Sequence, residues 1–288
     1  MRLLLTSSAD RTAALWSTRT WQRLTTLRGH TDAVNCSQFD ASGHLVITAG
    51  QDNTVRVWTA NAGQPLQVLA EMPSTAPGCD GSCNPVWSAI FSPDGSRVVT
   101  ANANGTVGLW DALSGARLAT LAGHEGAVYQ AAFSPDGQQI LSAGQDGSVR
   151  LWPVNPAGEP VIWRGHSGPV NHAVFSADGK RALTTSNDQT ALLWDVASGQ
   201  VMATLRGHSG AVLAGAFSPD GTRAVTAGAD GSAIIWNVGR GEAQTENEVG
   251  RFALGGTRGV AEARLGVHGL GTGSGRLTRS RRMRPPTT

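Results

Sequence analysis

The sequence predicts an all-β fold built from six repeated units of four antiparallel strands, and three observations predict it. A tryptophan ends a similar phrase in every unit, at Trp16, Trp58, Trp110, Trp152, Trp194 and Trp236. The spacings between them are 42, 52, 42, 42 and 42 residues, and such a fixed period indicates units that bury one face by stacking on their neighbours. Glycine is frequent, at 37 residues, which favours many turns over long helices.

The strands of one unit can be read in order from the unit that ends at Trp152. Residues 127–133, AVYQAAF, alternate as a first strand does, and SPDG then makes a tight turn. Residues 138–144 form a second strand, QDG a second turn, and residues 148–152 a third strand. An outermost strand of the kind seen in RLATLAG, residues 117–123, completes each unit. Four antiparallel strands per unit fit one blade of a β-propeller.

A histidine, a hydroxyl, an aspartate and a tryptophan recur with the same period. An aspartate follows each GH histidine by 22 residues, with a serine or threonine four residues before it and a tryptophan six residues after it. The four sets are His30, Thr48, Asp52 and Trp58; His124, Ser142, Asp146 and Trp152; His166, Thr184, Asp188 and Trp194; and His208, Thr226, Asp230 and Trp236. This GH…D…W spacing, over roughly residues 1–240, strongly resembles the WD-repeat β-propeller family. The resemblance implies that each set is a hydrogen-bond network inside one blade.

Histidine, serine and aspartate are also the side chains of a hydrolase triad, so a catalytic interpretation has to be weighed. An enzyme needs one triad in one cleft, whereas this chain repeats the set four times at one period. A carboxylate buried under a turn needs donors, and the imidazole, hydroxyl and indole can supply them. We therefore interpret the four sets as structural and expect no catalytic residue among them.

The third unit departs from the pattern. Aligned on Trp110, the GH position reads Gly81-Ser82 and the aspartate position reads Asn104, while Thr100 is retained. A lone histidine or aspartate would be a poorly satisfied buried group, so the two are expected to disappear together. The ten-residue insertion lies within EMPSTAPGCDGSC, residues 71–83, which reads as an exposed loop, and we expect this blade to be the least stable.

The prediction is thus a β-propeller of six recognisable four-stranded blades, spanning residues 1–252. The first blade has Thr6, Asp10 and Trp16 but lacks its innermost strand, so a fragment of a seven-bladed or larger propeller is an alternative. NEVGRFAL, residues 247–254, is a candidate outer strand for the last blade. Residues 253–288 are a Gly/Arg-rich basic tail that we expect to be disordered.

A partner-binding face is predicted where loops meet the rim of each blade. In the family that the sequence resembles, partner contacts lie near the residues three and five after the histidine and beside the turn aspartate. The fifth position here holds Asn35, Trp87, Tyr129, Asn171 and Leu213. The residues before the turn aspartates add Gln51, Gln145 and Asn187, with Ala229 in the last blade. Aromatic groups in a polar rim are typical of binding hot spots, although Trp87 and Tyr129 could instead fill gaps between blades.

Two further tryptophans, Trp21 and Trp163, are predicted on outer strands. We expect them to cover neighbouring blades, with a lateral contact surface as the alternative. The cysteines give little: Cys79 and Cys83 form one close pair without further ligands nearby, so neither a metal nor a disulfide framework is expected.

Charge is distributed unevenly, which raises a nucleic-acid alternative. Residues 251–288 hold eight arginines and one glutamate, whereas residues 1–250 hold 15 basic and 20 acidic residues. The arginines could neutralise phosphates, but the tail offers only Phe252 for stacking on bases. A solvated tail is therefore the favoured interpretation.

The function predicted from these features is a non-catalytic scaffold that presents protein partners on one propeller face, without a cofactor. The family resemblance implies that it could be part of a larger signalling or regulatory protein. The alternatives are nucleic-acid binding through the tail and, less favoured, an enzyme with a site at the channel mouth. No apolar run approaches the ~20 residues of a membrane helix, and MRLLLTSSAD lacks the apolar core of roughly 7–15 residues of a secretion signal. We therefore expect no membrane partner and a cytoplasmic location.

Overall fold

The computed structural model describes residues 3–61, 65–70, 84–155, 158–238 and 242–243, and this part of the chain contains strands and turns but no helix. The strands form six antiparallel sheets, one of three strands and five of four. The all-β prediction with six blade-like sheets is confirmed. Within the described ranges, no helix is present that is long and apolar enough to cross a membrane.

The sheets, called blades one to six in chain order, have the following strands. They are β1 (Leu3–Ser7), β2 (Thr12–Ser17) and β3 (Arg23–Arg28); β4 (Val34–Phe39), β5 (Leu45–Gly50), β6 (Thr54–Thr59) and β7 (Pro65–Ala70); β8 (Val86–Phe91), β9 (Arg97–Asn102), β10 (Thr106–Asp111) and β11 (Arg117–Ala122); β12 (Val128–Phe133), β13 (Gln139–Gly144), β14 (Ser148–Pro153) and β15 (Val161–Arg164); β16 (Val170–Phe175), β17 (Arg181–Ser186), β18 (Thr190–Asp195) and β19 (Gln200–Arg206); β20 (Val212–Phe217), β21 (Arg223–Gly228), β22 (Ala233–Asn237) and β23 (Glu242–Ala243).

Each four-stranded blade follows chain order from one edge to the other. The first strands of successive blades contact one another, as β4 contacts β8 and β12 contacts both β8 and β16, so these strands are innermost. Turn glycines with positive φ join the strands, for example Gly137 at +69° in the SPDG turn.

The apolar core lies between blades, because each blade is a single sheet with two apolar faces. Trp236 and Ala224 of blade six, for instance, form one buried cluster with Leu183 and Leu193 of blade five. Corresponding clusters join the other successive blades, and each contains the tryptophan of the later blade. The third-strand tryptophans of blades two to six are at most 4% exposed. Stability therefore arises from stacking, as expected for a repeat architecture.

Blade one has three strands, in the order β1-β2-β3, and these correspond to the second, third and fourth strands of the other blades. This agrees with the predicted absence of its innermost strand among the described residues. In blade six the fourth strand is Glu242–Ala243, which pairs with β22 soon after the third strand ends. The predicted outer strand at residues 247–254 lies outside the described residues. So do the insertion in the third unit, Cys79, Cys83 and the tail 253–288.

Candidate functional site

All four predicted sets come together in the structure as hydrogen-bonded tetrads. In blade four, His124 Nδ1 lies 3.0 Å from Asp146 Oδ1, and His124 Nε2 lies 2.8 Å from Ser142 Oγ. Trp152 Nε1 donates to the same hydroxyl at 2.8 Å. The other three sets repeat these contacts, with imidazole–carboxylate distances of 2.8–3.2 Å and imidazole–hydroxyl distances of 2.8 Å, in His30–Thr48–Asp52–Trp58, His166–Thr184–Asp188–Trp194 and His208–Thr226–Asp230–Trp236.

The donors and acceptors of a tetrad form one directed chain. The indole of Trp152 can only donate, so the Ser142 oxygen accepts from it and its O–H is free to donate to His124 Nε2. The ionised Asp146 can only accept, so His124 Nδ1 carries the ring proton. When the imidazole is neutral, every polar group of the tetrad already has a hydrogen-bond partner. The tetrad therefore links the strands that carry its members.

The pKa shifts are those of a buried ion that is fully hydrogen-bonded. Burial alone would raise the pKa of the Asp52 carboxyl, but donors from His30, Thr31 and Thr54 outweigh it and lower the pKa to about 2. Asp146 behaves in the same way, with a pKa of about 2. Burial lowers the pKa of the His124 imidazole, and Asp146 only partly opposes that shift. At neutral pH the pair is therefore a carboxylate and a neutral imidazole.

A fifth group of the network was not anticipated from the sequence. Ser148 Oγ donates to Asp146 Oδ1 at 2.8 Å, and the hydroxyls two residues after the other turn aspartates do the same. Even blade one has this bond, from Thr12 to Asp10, and Trp16 Nε1 bonds Thr6 at 2.9 Å. The sequence signal that could have revealed this hydroxyl is the serine or threonine two residues after every turn aspartate.

In blade three, Asn104 stands at the position of the turn aspartate, and a second asparagine, Asn102, stands at the position of a glycine in blade four. Trp110 Nε1 still donates to Thr100 Oγ1, at 3.2 Å. Asn102 occupies the position of Gly144 in blade four, where an added Cβ would lie 2.3 Å from the His124 ring. Because the aligned position in blade three is not a histidine, the larger side chain fits there, and Asn102 Nδ2 donates to Thr106 at 3.1 Å. The expectation that this blade is the least stable stays a prediction.

The five positions predicted for the partner face share a backbone feature that the sequence did not reveal. In blades two to six, one residue near the start of the innermost strand is skipped by the pairing with the second strand, as between Val128 and Gln130. The bulged residues are Asn35, Trp87, Tyr129, Asn171 and Leu213. A β-bulge turns one side chain out of the regular alternation of its strand. Blades two to six thus each present one re-aimed side chain near the start of the innermost strand.

Two of these bulged residues are used between blades, which corrects part of the partner-face prediction. Asn35 is only 8% exposed, and its Nδ2 donates to the carbonyl of Val86 at 3.0 Å. Asn171 Nδ2 donates to the carbonyl of Val212 at 2.8 Å. In each case the acceptor directly precedes the bulge of the next blade. These amides link blades, and Asn35 is not an accessible contact.

The aromatic positions meet each other. Trp87 and Tyr129 lie on adjacent innermost strands with ring centroids 6.3 Å apart and planes at 71°, an edge-to-face pair. Both side chains are half-buried, so each packs between blades and still presents a surface. Leu213, at 38% exposure, is the most open of the bulged apolar residues.

The residues before the turn aspartates surround this rim. Gln145 and Asn187 are exposed, whereas Gln51 is half-buried. Asn187 Oδ1 accepts from Asn171, and Gln51 Nε2 donates weakly to Asn35 Oδ1 at 3.4 Å. These amide groups thus partly bond to one another.

The two extra tryptophans differ from each other. Trp163, on β15, is 3% exposed and stacks on Trp194 of blade five with centroids 5.3 Å apart, as predicted. Trp21 lies in the turn before β3 and is 71% exposed, so the prediction that it covers a neighbouring blade is wrong. It has a φ of +57°, at the turn position that Gly115 and Gly199 occupy in other blades.

Metal ligands are not gathered anywhere in the described ranges: no three His, Cys, Asp or Glu side chains lie close enough there to hold an ion. Cys36 is a buried thiol in the core between blades two and three, and its Sγ donates to the carbonyl of Ala89.

Comparison with known proteins gives one family. The family model described as "WD domain, G-beta repeat" matches residues 21–59, 75–111, 115–153, 159–195 and 199–237. Four of the five matches start just before the outer strand of one blade and end with the third strand of the next, whereas the match at residues 75–111 begins after the outer strand of blade two. Of blade one, the matches include only the outer strand β3.

The curated relatives are larger proteins that share part of this chain. WD repeat, SAM and U-box domain-containing protein 1 of Danio rerio is 32% identical over 38% of this chain and 21% of its own length. Apoptotic protease-activating factor 1 of Homo sapiens is 31% identical over 38% of this chain and 8% of its own. A guanine nucleotide-binding protein subunit beta of Nicotiana tabacum is 33% identical over 44% of this chain and 34% of its own. The chain thus matches about a third or less of these relatives' lengths.

Proposed function

The chain belongs to the WD40 repeat family, and we propose that it is a non-catalytic scaffold that holds protein partners on one face of its blades. The observation that carries the proposal is the row of bulges on successive innermost strands. The bulges occur at equivalent positions in five blades, and Trp87, Tyr129 and Leu213 keep exposed surface there.

The centre of the proposed face is the pair formed by Trp87 and Tyr129. Aromatic rings contribute large contact areas with little loss of side-chain freedom, and such residues dominate the binding energy of many interfaces. Gln145, Asn187 and Leu213 add exposed polar and apolar groups in blades four, five and six. Asn35 and Asn171 support the rim from behind by bonding adjacent blades.

The rigidity of the blades is the mechanistic contribution of the tetrads. Each tetrad closes the loop before the innermost strand onto the turn after the second strand, since Glu125 N donates to Asp146 Oδ2 at 3.1 Å. These are the loops next to the bulge. A face held in place before binding loses less conformational entropy when a partner docks.

The experiment compares protein capture by the wild-type chain and by a Trp87→Ala, Tyr129→Ala double variant. The double variant is expected to lose at least about tenfold in recovered partner, which corresponds to about 1.4 kcal/mol. Leu113→Ala is the matched control, because Leu113 is 91% exposed on a turn at the opposite end of its blade. Unchanged recovery by the folded double variant would contradict the proposal.

A further inference from the structure

An open cavity of about 580 Å³ lies between blades four and five, at the end of the strands opposite the proposed partner face. Gln139, which begins β13, belongs to its lining, whereas Gln145 of the partner face follows the other end of the same strand. From blade five, the lining includes the turn between β18 and β19. Ligand pockets in proteins typically measure about 300–1,000 Å³, so this cavity has the size for a small organic molecule.

The cavity lies where the outer strand of blade four is short. In blade three the outer strand pairs as far as Trp110, and in blade five as far as Asp195, whereas in blade four the pairing stops at Leu151. Two residues beyond Leu151 stands Pro153, which has no N–H to donate to an outer strand. The described outer strand therefore leaves the end of the third strand unpaired, and Leu151 forms part of the cavity wall.

A tryptophan replaces a leucine in this wall. At the outer-strand position of Trp163, blades one, three and five hold Leu27, Leu121 and Leu205. The Trp163 side chain is 3% exposed, and its Nε1 has no hydrogen-bond partner in the described ranges. A buried N–H without an acceptor is unfavourable, so a ligand that brings an acceptor gains affinity from this group.

The neighbouring turn leaves the indole N–H without a covering side chain. Gly199 also lines the cavity, and a Cβ added to it would lie 2.7 Å from Trp163 Nε1. Its φ of +67° is one that glycine adopts without strain. Any other residue at this position would place a side chain against the indole nitrogen.

The rest of the lining is apolar or balanced in charge. Leu151 and Val161 supply aliphatic surface, and Val161 is 56% exposed. The described lining has one cation, Lys180, and one anion, Asp195, so it carries no net charge. Asp195 Oδ1 already accepts from Ser198 N at 2.8 Å and from Ser198 Oγ at 2.6 Å. Because a charged ligand would lose hydration here without a net counter-charge, an uncharged ligand is favoured.

We propose that this cavity binds a small uncharged molecule with an aromatic body and a carbonyl oxygen that accepts a hydrogen bond from Trp163 Nε1. The aromatic body packs on the indole and on the aliphatic wall, and the oxygen satisfies the unpaired donor. The site is separate from the partner face, because it lies at the other end of the blades.

An NMR titration of the full chain with benzylacetone, an aromatic ketone, tests the proposal. The indole N–H signal of Trp163, assigned by its loss in Trp163→Phe, is expected to shift and saturate with a dissociation constant of about 1 mM. The amine analogue of benzylacetone, with an ammonium group in place of the carbonyl, is expected to bind at least about tenfold more weakly. Equal affinities of the two probes, or no shift up to about 10 mM ketone, would overturn the proposal.

Two neighbouring substitutions on β15 locate the site. Val161→Asp places a charge in the cavity wall and is expected to weaken ketone binding at least about tenfold. Ile162→Asp is the matched control, because successive side chains of a strand point to opposite sides, and it is expected to bind like the wild type. Both positions are exposed, at 56% and 44%, and circular dichroism verifies folding. Val161→Asn replaces Val161→Asp if that variant does not fold.

The hydrogen bond itself is tested by Trp163→Phe, which keeps an aromatic ring but has no N–H. Its affinity for the ketone, measured from the backbone amide signal of Gly199, is expected to fall about fivefold. Wild-type affinity in either Trp163→Phe or the Val161 variant would overturn the proposal. The Trp87→Ala, Tyr129→Ala variant is expected to bind the ketone normally, so failure of the partner face and failure of this cavity are distinguishable.

Discussion

The imidazole of His124 lies 3.0 Å from the carboxylate of Asp146, 22 residues away, with the two side chains 0% and 8% exposed. Neither group can be removed without leaving the other buried and short of a partner. The relationship recurs in blades two, five and six, so the stability of the protein depends on it at four places.

Replacement of the carboxylate is expected to be strongly destabilising. Asp146→Ala should lower the free energy of unfolding by about 3 kcal/mol, because His124, Ser148 and Glu125 N all lose their acceptor. Asp146→Asn, the residue that blade three carries as Asn104, keeps an acceptor and should cost about 1 kcal/mol. Urea unfolding measures both, and a loss below about 0.5 kcal/mol for Asp146→Ala would contradict the network.

The hydroxyl of Ser142, which bonds both His124 and Trp152, allows a sharper test within one blade. Ser142→Ala leaves His124 Nε2 and Trp152 Nε1 without a partner and should cost about 2 kcal/mol. Ser142→Thr retains the hydroxyl that blades two, five and six already have, and is expected to stay within about 1 kcal/mol of wild type. Equal losses in the two variants would show that steric fit, not the hydrogen bond, matters at this position.

His172 is expected to make the protein sensitive to mild acid. Burial lowers the pKa of its imidazole to about 4, and its Nδ1 is buried without a hydrogen-bond partner in the described part of the chain. The unfolded chain, with a histidine pKa of about 6.5, then binds the proton more readily, so stability is complete above pH 6.5 and falls as pH decreases toward 4. The loss across that window is about 3 kcal/mol at most.

The matching variant is His172→Gln, since Gln130 occupies the equivalent buried position in blade four. Its unfolding free energy should equal the wild-type value near pH 7.5 and decline less between pH 6.5 and 5. The difference between the two proteins isolates His172, because His124 and His166 titrate in both. Parallel pH curves would rule out a contribution from His172.

Stability should respond differently to replacement of Trp163 and of Trp21. Trp163→Ala removes a ring stacked on Trp194 and should cost about 3–5 kcal/mol. Trp21→Gly places glycine where the backbone has φ +57°, relieving strain, and should leave stability unchanged or raise it by about 0.5 kcal/mol. Thermal and urea unfolding report both; a clear loss for Trp21→Gly would reveal packing that its 71% exposure does not suggest.

Much of this architecture could be predicted from residues alone because the signal is repeated. The phrase that ends at Trp152 occurs with small changes in every unit, and its turn residues and alternation each require a local backbone shape. The tetrads were also predictable, since a histidine and an aspartate at a constant separation in four units imply one constant contact. The bulges were not, because a skipped residue such as Tyr129 leaves no mark in the pattern of side chains.

By itself, then, the sequence determined the strands, their order, the number of blades and the membership of each tetrad, all of which depend on local pattern and period. Only the tertiary structure decided which of these side chains are exposed to solvent. Leu4 follows the same pattern as Val46, and Ile235 the same pattern as Leu193, yet two are exposed and two are buried. The physical reason is that a blade cannot bury its own faces: burial depends on a neighbouring sheet, which no pattern within the blade encodes.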